Sequence, residues 1–292
     1  MRNALRKDLE PVASSFIVKE LVEAHFDANW HFHPHFQLFL VEEGTGTRFI
    51  GDSIKPFAEG DLVFLGPNLP HLWRSDQPYF QKDSGLTTRG IVVYFPEDFL
   101  GEHFFDKPEM NLMQQLLQHA RRGLEWTGAT RTLVQETLRK LTTQPVGFGR
   151  VMTLLHLLDE LSHASDYRYI TSLGYTNTVK PSETDRMQQV HDYVLGHFHD
   201  EISLETVADL AGMTPPAFCR YFKARANKTF SEFVSEIRIG HSCKLLMEGK
   251  LSVTQVSYES GYRTLSNFNR QFKGIMGQTP SDYVKTLRAV TV

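Results

Sequence analysis

Residues 203–212, "SLETVADLAG", and residues 252–261, "SVTQVSYESG", carry similar side chains in the same order, at an offset of 49. The similarity then continues at an offset of 50. The further matched pairs are Phe218 and Phe268, Arg220 and Arg270, Phe222 and Phe272, Lys223 and Lys273, Thr229 and Thr279, Ser231 and Ser281, and Val234 and Val284. One residue is therefore inserted in the second copy, or lost from the first. A match over this many positions predicts two copies of one supersecondary unit.

Each copy has the pattern of a helix, a glycine turn and a second helix. In the first copy, Val207 and Ala208 lie on the inward face, and Gly212 ends the helix because it takes positive φ without penalty. Thr214 fits the N-cap of a second helix, with Pro215 at its first position. A small-residue helix, a tight turn and a second helix with outward polar residues are typical of the helix-turn-helix. Its second helix enters the major groove of DNA.

The angular positions divide each second helix into two faces. At 100° per residue, Phe268, Phe272 and Ile275 form a buried stripe. The outward residues are candidate DNA contacts: Thr214, Pro216, Cys219, Arg220 and Lys223 in the first copy, and Arg263, Ser266, Asn267, Arg270 and Lys273 in the second. Arginine and asparagine suit base edges, and lysine suits phosphates. A merely solvated helix face is the alternative, but arginine at the same position of both copies favours DNA binding. Arg263 shares this face only if its helix extends back that far.

Residues 229–249 between the copies have apolar side chains at helical spacing. Some 20 residues at 1.5 Å each give a helix of about 30 Å. Successive major-groove windows on one face of DNA lie about 34 Å apart. The sequence therefore predicts a stiff helix that presents two recognition helices at nearly the period of the duplex.

Net charge supports the same division of the chain. The whole chain carries a net charge of −3, which on its own gives no indication of nucleic-acid binding. Residues 1–183 hold 18 basic and 23 acidic residues, and residues 184–292 hold 13 basic and 11 acidic residues. The C-terminal part is thus the more basic, as expected of the part that contacts phosphates.

The remaining composition restricts the class of protein. Two cysteines are too few for a disulfide framework and suit a reducing compartment. The N-terminus has no apolar stretch after its basic residues, and no run approaches 18 apolar residues. We therefore expect a cytoplasmic protein that does not contact a membrane.

The first half of the chain has a different texture. Residues 15–95 alternate short β-favouring runs with turns that contain Gly, Pro and Asp, which predicts a compact antiparallel barrel or sandwich. Residues 111–164 place leucines every three or four positions and predict helices. Residues 169–185, rich in Thr and Ser, predict a linker. The fold class is therefore α+β with two domains: a β-barrel with helices, then an all-α part.

Residues 30–36, "WHFHPHF", place three histidines at every second position among aromatics. Such a cluster suits either a metal centre or the mouth of a pocket. Strand parity alone does not separate the two, because all three side chains share one face.

Residues 186–288 resemble the DNA-binding domain of AraC-type transcription regulators, which contains two helix-turn-helix units. The likeness rests on the second copy, "GYRTLSNFNRQFKGIMGQTPSDYVKTLR" (261–288), in which the signature positions are Gly261, Tyr262, Phe268, Phe272, Gly277, Thr279 and Pro280. Pro216 and Cys219 stand where the family often has larger polar side chains. The first recognition helix is therefore expected to contribute more phosphate and shape contact than base reading.

Residues 20–95 resemble the cupin-like sensing barrel of the same family. The likeness is carried by "HFHPHFQLFLVEEGTG" (31–46) and "FAEGDLVFLGPNLPHLW" (57–73). The resemblance implies three regions: a cupin-like ligand-sensing and dimerisation domain (1–168), a linker (169–185) and an AraC-type DNA-binding domain (186–292). The helices of 111–164 would supply the dimer interface, or their leucines form intradomain core.

The metal-binding cupin pattern is fulfilled only in part. His31, His33 and His71 fit it, whereas Gln37 stands where a carboxylate ligand is expected. A neutral amide binds divalent ions less strongly than a carboxylate does. Three alternatives stay open: a metal site of the three histidines, histidines that only pack, or a pocket for a small polar molecule. We favour the pocket, lined by His31, His33, Gln37, His71 and Trp73, and assign no metal, no other cofactor and no catalytic residue.

Together these features predict a sequence-specific transcription regulator that senses a small polar molecule. The family resemblance implies a sugar or related catabolite as effector, double-stranded promoter DNA and a second copy of the chain as partners, and RNA polymerase as a further partner of an activator. The alternative is a metal-dependent cupin enzyme fused to a DNA-binding tail.

Overall fold

The computed structural model describes residues 15–81, 83–175 and 184–290, without the side chains of residues 184–185 and 287–290. The chain divides into two compact units and, apart from the short stretch 54–56, the division falls between residues 175 and 184. The first unit combines sheets with helices, and the described part of the second is entirely helical. The expected α+β class is confirmed.

The first unit contains two sheets. Its strands are β1 (Ile17–Glu23), β2 (His35–Glu43), β3 (Gly46–Ile50), β4 (Ser53–Phe57), β5 (Leu62–Leu65), β6 (His71–Ser75), β7 (Thr88–Pro96), β8 (Leu124–Trp126) and β9 (Tyr167–Tyr169). The larger sheet has the order β1-β7-β2-β5-β8-β9, and the smaller has the order β4-β3-β6. All pairs in the larger sheet are antiparallel.

The central strands of the larger sheet are buried on both faces. In β2, Leu38 and Leu40 belong to the core shared with the helices, whereas Phe39 and Val41 belong to a core that includes Trp73 of the smaller sheet. Successive side chains of a strand point to opposite faces. The larger sheet is therefore the middle of three layers, with the smaller sheet on one side and helices on the other.

The helical layer consists of α1 (Asn111–Ala120), α2 (Ala129–Thr143) and α3 (Phe148–His163). Its leucines on the sheet side are buried: Leu116, Leu117, Leu138, Leu141, Leu154, Leu157, Leu158 and Leu161. Each contributes about 1.5–3 kcal/mol relative to full exposure. For these leucines the structure supports the intradomain-core interpretation.

The predicted linker, 169–185, starts too early. Tyr169 ends β9, and the backbone N–H of Thr171 donates to the carbonyl of Arg122 at 3.0 Å. The N–H of Ser172 donates to a carboxylate oxygen of Asp52 at 3.1 Å. The described residues up to 175 therefore belong to the first unit. The following stretch, 176–183, lies outside the described residues.

The second unit contains α4 (Thr184–His197), α5 (Leu204–Leu210), α6 (Pro215–Ala226), α7 (Phe230–Glu248), α8 (Val253–Glu259), α9 (Leu265–Met276) and α10 (Pro280–Val290). The pairs α5–α6 and α8–α9 are the two helix-turn-helix units. The helix α7 joins them, and its 19 residues span about 28 Å. It starts with a capping box between Thr229 and Glu232 and ends at Gly249, which has a φ of 67°.

Both recognition helices are anchored by a pair of phenylalanines, but the buried stripe of α9 differs from the prediction. Phe268 and Phe272 are fully buried, whereas Ile275 is 40 % exposed. Leu265 and Met276 pack against the same core instead. The stripe is centred near Phe272, so Ile275 lies at its edge. The prediction that Ile275 is buried was wrong.

The structure locates the inserted residue of the repeat. The N–H of Met213 donates to the carbonyl of Ala208 at 2.9 Å, and the N–H of Tyr262 donates to the carbonyl of Ser257 at 3.1 Å. These bonds are equivalent, so Tyr262 corresponds to Met213. Thr214 and Thr264 correspond as well, because each is the N-cap of the following helix. The extra residue is therefore Arg263, between Tyr262 and Thr264 in the turn before α9.

The two turn glycines provide a matched stability test. Gly212 and Gly261 have φ values of 65° and 81°. A Cβ added to Gly261 would lie 2.6 Å from the carbonyl oxygen of Phe198, whereas one added to Gly212 meets no atom within 4 Å. Gly212→Ala should therefore carry only the left-handed backbone cost of about 1–2 kcal/mol, and Gly261→Ala should cost more. Thermal unfolding followed by circular dichroism measures both. Equal losses would show that the close approach to Phe198 does not matter.

Candidate functional site

The fold brings His31, His33 and His71 together inside the first unit. His31 and His71 form an isolated antiparallel bridge, with N···O distances of 3.2 and 2.9 Å. The ring centroid of His71 lies 4.4 Å from that of His31 and 5.1 Å from that of His33. All three side chains are buried, and one ring nitrogen of each lies within 4.8 Å of the others.

Backbone carbonyls fix the tautomer of each ring. The Nδ1 atoms lie 2.7 Å from the carbonyl oxygen of Asn29 for His31, 3.1 Å from that of His35 for His33, and 2.7 Å from that of Leu69 for His71. A carbonyl can only accept, so each Nδ1 carries a proton. In the neutral ring Nε2 then carries the lone pair.

Gln37 lies beside this cluster. Its Oε1 atom is 2.8 Å from Nε2 of His33. Burial lowers the pKa of His33 to about 4, against the opposing effect of the Gln37 contact, while the nearby His31 lowers it further. His33 is therefore neutral at pH 7, and Gln37 beside it is an uncharged amide.

Trp73 extends the same interior surface away from the histidines. Its ring lies 5.6 Å from that of His71, and across the strand pair it stands opposite Arg48. The buried Arg48 contacts Asp61, with 2.9 Å between Nε and Oδ2, and also Glu125. An aromatic side chain thus separates a histidine cluster from a buried ion cluster.

Neither the ion cluster of Arg48, Asp61 and Glu125 nor Tyr94 was identified from the sequence. The ring of Tyr94 lies 5.2 Å from that of His33, edge to face, and burial raises its pKa. Tyr94 pairs with Gln37 in the register of β2 and β7. The period-two pattern of "IVVYF" places Tyr94 on the same face as Val92, but it does not say which residue lies opposite.

The predicted DNA contacts all lie on the surface of the second unit. The exposed residues are Thr214, Pro216, Cys219, Arg220, Lys223, Arg263, Ser266, Asn267, Arg270 and Lys273. Four of them lie on α6 and four on α9, opposite the buried phenylalanines. Each recognition helix therefore has an apolar inner face and a polar outer face.

The outer face of α9 contains an ordered pair. Nη2 of Arg270 donates to Oδ1 of Asn267 at 3.0 Å. The N–H of Asn267 in turn donates to the hydroxyl of Thr264, the N-cap residue, at 3.3 Å. The guanidinium is thereby oriented by the first turn of its own helix.

Two sequence expectations at the helix starts need adjustment. Thr214 is the N-cap of α6 but makes no capping hydrogen bond through its side chain. A cap side chain accepts from the N–H of the second or third helical residue, and Pro216 at the second position has no N–H to donate. Arg263 does not lie on α9, which begins at Leu265, and it contacts the carboxylate of Glu201.

A cleft of about 430 Å³ lies elsewhere in the first unit, beside α1, α3 and β9. It is lined by Leu112, Gln115, Leu116, His119, Leu161, Ser162, Ala164, Ser165, Tyr167, Arg168 and Tyr169. Its mixture of aromatic, apolar and polar side chains is also compatible with a small molecule.

Among the described residues, no helix is long and apolar enough to cross a membrane.

Two family models match the chain. Residues 17–104 match the AraC-like ligand binding domain, and residues 207–286 match a helix-turn-helix domain. The chain is 35 % identical over 268 residues to an uncharacterized HTH-type transcriptional regulator, YdeC, of Bacillus subtilis (strain 168), covering 87 % of this chain and 85 % of that one. It is 26 % identical over 154 residues to an uncharacterized HTH-type transcriptional regulator of Staphylococcus aureus, covering 53 % of this chain and 19 % of that protein.

Solved structures show further similarity. ToxT from Vibrio cholerae O395, bound to (E)-4-(8-methylnaphthalen-1-yl)but-3-enoic acid, is 15 % identical with a TM-score of 0.37, over 94 % of this chain and 100 % of that one. The DNA-binding domain of AdpA, in complex with a target DNA, is 26 % identical with a TM-score of 0.34, over 36 % of this chain and 95 % of that one.

Proposed function

Because the chain belongs to the AraC-type family of helix-turn-helix transcription regulators, we propose that α6 and α9 enter successive major grooves of one promoter while the barrel binds a small polar effector. The observation that carries the DNA part is the repeated division of faces. In both copies two phenylalanines are fully buried and the arginine two positions after the first of them is exposed.

The two recognition helices have unequal roles in this proposal. On α9, Asn267, Arg270 and Ser266 offer hydrogen bonds to base edges, and Lys273 offers a phosphate contact. On α6, Pro216 and Cys219 have little hydrogen-bonding capacity, so Arg220 and Lys223 mainly contact the backbone and groove shape. Arg263, which lies in the turn before α9, would contact a phosphate after its ion pair with Glu201 breaks.

Arg270→Ala should weaken binding to a selected duplex by about 1–3 kcal/mol, that is about 5- to 150-fold, if Arg270 makes a bidentate base contact. The site would first be selected from a random duplex library and its affinity measured by fluorescence anisotropy at fixed salt. Arg89→Ala, which removes an exposed arginine of the first unit, is the matched charge control and should leave affinity unchanged. An equal loss on selected and scrambled duplexes would reduce Arg270 to a phosphate contact.

Asn267 provides a finer test of the same face. Because Asn267 accepts from Arg270, the two single losses should not add in the double variant. Additive losses in the double-mutant cycle would show that the two side chains act independently on DNA.

The effector site proposed for the barrel is lined by His31, His33, Gln37, His71 and Trp73. Buried imidazoles and an amide provide orienting hydrogen bonds, and the indole provides an apolar wall. A sugar or related catabolite has the hydroxyl groups that such a site would recognise. To regulate, the effector must bind one arrangement of the protein better than another.

The remaining partners follow from this function. We propose that the chain acts as a homodimer in the cytoplasm, and that RNA polymerase is a partner if the effect is activation. The exposed Leu112, Leu133 and Met152 of the helical layer are available to a dimer contact. We propose no catalytic activity. The fused cupin enzyme remains the alternative, and turnover lost on His71→Ala with DNA binding intact would favour it.

Gln37→Ala should abolish the response to the effector and leave basal DNA affinity unchanged, because Gln37 lies in the barrel and not on a recognition helix. A metabolite library screened by thermal shift supplies the effector, and its dose response on DNA binding is then compared. Gln118→Ala, an exposed glutamine of α1, serves as control. An unchanged dose response in Gln37→Ala would exclude the histidine pocket as the effector site and would favour the cleft beside α1 and α3.

A further inference from the structure

We propose that His31, His33 and His71 bind one divalent transition-metal ion through their Nε2 atoms, with the amide oxygen of Gln37 as an additional ligand. The inference goes beyond the proposed function, because metal binding requires neither DNA nor an effector.

The first support is the hydrogen bonding of the three rings. Metal-binding histidines commonly donate their other ring N–H to a carbonyl or carboxylate, which fixes the ring and directs the lone pair at the metal. Here all three Nδ1 atoms face backbone carbonyls at 2.7–3.1 Å. Three buried histidines with the same tautomer are more than packing requires.

The second support is the contact between His33 and Gln37. With Nδ1 protonated, Nε2 of His33 is an acceptor, and Oε1 of Gln37 at 2.8 Å is an acceptor too. Two acceptors at this distance repel each other. Either the amide turns so that its NH₂ group donates, or a cation lies next to both atoms. Ligand atoms of one tetrahedral zinc ion lie about 3.4 Å apart, which a small side-chain rotation would reach from this distance.

The third support is the backbone that holds the rings. The bridge between His31 and His71 joins two segments 40 positions apart in sequence. The carbonyl of His33 accepts from the N–H of Asn68 at 2.8 Å. One ring nitrogen of each histidine lies within 4.8 Å of those of the other two, and tetrahedral zinc needs about 3.4 Å between ligand nitrogens. Small side-chain rotations on a fixed backbone would close that difference.

The ligand set selects a class of metal. Imidazole suits Zn²⁺, Fe²⁺, Co²⁺ and Ni²⁺, whereas Mg²⁺ and Ca²⁺ prefer carboxylate and other oxygen ligands. Among the described residues, the histidine cluster contains no carboxylate. The bound ion would therefore retain its charge and open positions. If the proposed function holds, an oxygen atom of the effector would bind the ion at one of these positions, in place of direct hydrogen bonds from the three imidazoles.

Metal binding is tested on the full chain without DNA. The purified protein is stripped with chelator, loaded with Co²⁺ or Zn²⁺, passed through gel filtration and analysed by mass spectrometry and by cobalt absorption. We expect about one ion per chain, at least a 10-fold loss of affinity in His33→Ala and in His71→Ala, and no retention of Mg²⁺. His103→Ala, which removes a histidine with a 78 % exposed side chain, is the control and should bind as wild type.

Gln37→Glu tests the proposal by a gain of metal affinity rather than a loss. A gain of affinity does not result from a variant that fails to fold. A carboxylate beside the ion should tighten Zn²⁺ binding at least 10-fold. The same carboxylate, buried without a cation, should lower the melting temperature of the stripped protein, and Zn²⁺ should restore it. The proposal is overturned if Gln37→Glu binds Zn²⁺ no better than wild type, or if wild type and the folded His71→Ala variant retain equal metal. DNA affinity, measured separately, decides the proposed function independently.

Discussion

The structure of the first unit depends on the burial of β2, β5 and β7 on both faces. A strand with apolar side chains on both faces cannot present either one to water, so the larger sheet needs a cover on each side. Helices supply one cover and the small sheet β4-β3-β6 supplies the other. The small sheet is also what encloses polar groups. His71, Trp73 and Arg48 come from its strands, and Arg48 contacts Glu125 of the larger sheet. The candidate site lies here because the larger sheet needs a cover on this face.

The second unit meets a different constraint. The helices α5 and α8 have seven residues each, too few to be stable alone in water. They persist because a phenylalanine pair from the following helix packs against them and against α7. That packing fixes which face of α6 and α9 is inside, and the polar residues of the recognition helices are exposed as a consequence. Stability and the proposed DNA contacts thus use opposite faces of the same recognition helices.

The two copies have diverged within this common plan. The extra residue of the second copy, Arg263, extends a turn and contacts Glu201. Gly261 in the same turn lies close to the carbonyl of Phe198. In the first copy, the recognition helix starts with two prolines, and its N-cap threonine makes no capping hydrogen bond through its side chain. The second has an ordered arginine–asparagine pair. These differences are the physical basis of the unequal roles on DNA that we propose for the two recognition helices. In the barrel, Gln37 places an uncharged amide beside His33.

The sequence by itself determined the features that depend on local periodicity. The repeat predicted two helix-turn-helix units and their phenylalanine anchors. The alternation of residues 15–95 predicted the strands, and the histidine spacing identified a candidate site. Tertiary structure decided the contacts between distant residues: the bridge from His31 to His71, the pairing of Tyr94 with Gln37, and the ion cluster that joins Arg48 to Glu125, 77 positions away. The start of the linker and the exposure of Ile275 were also decided there. Periodicity states which face a side chain occupies, but only strand register and helix packing decide what lies opposite that face.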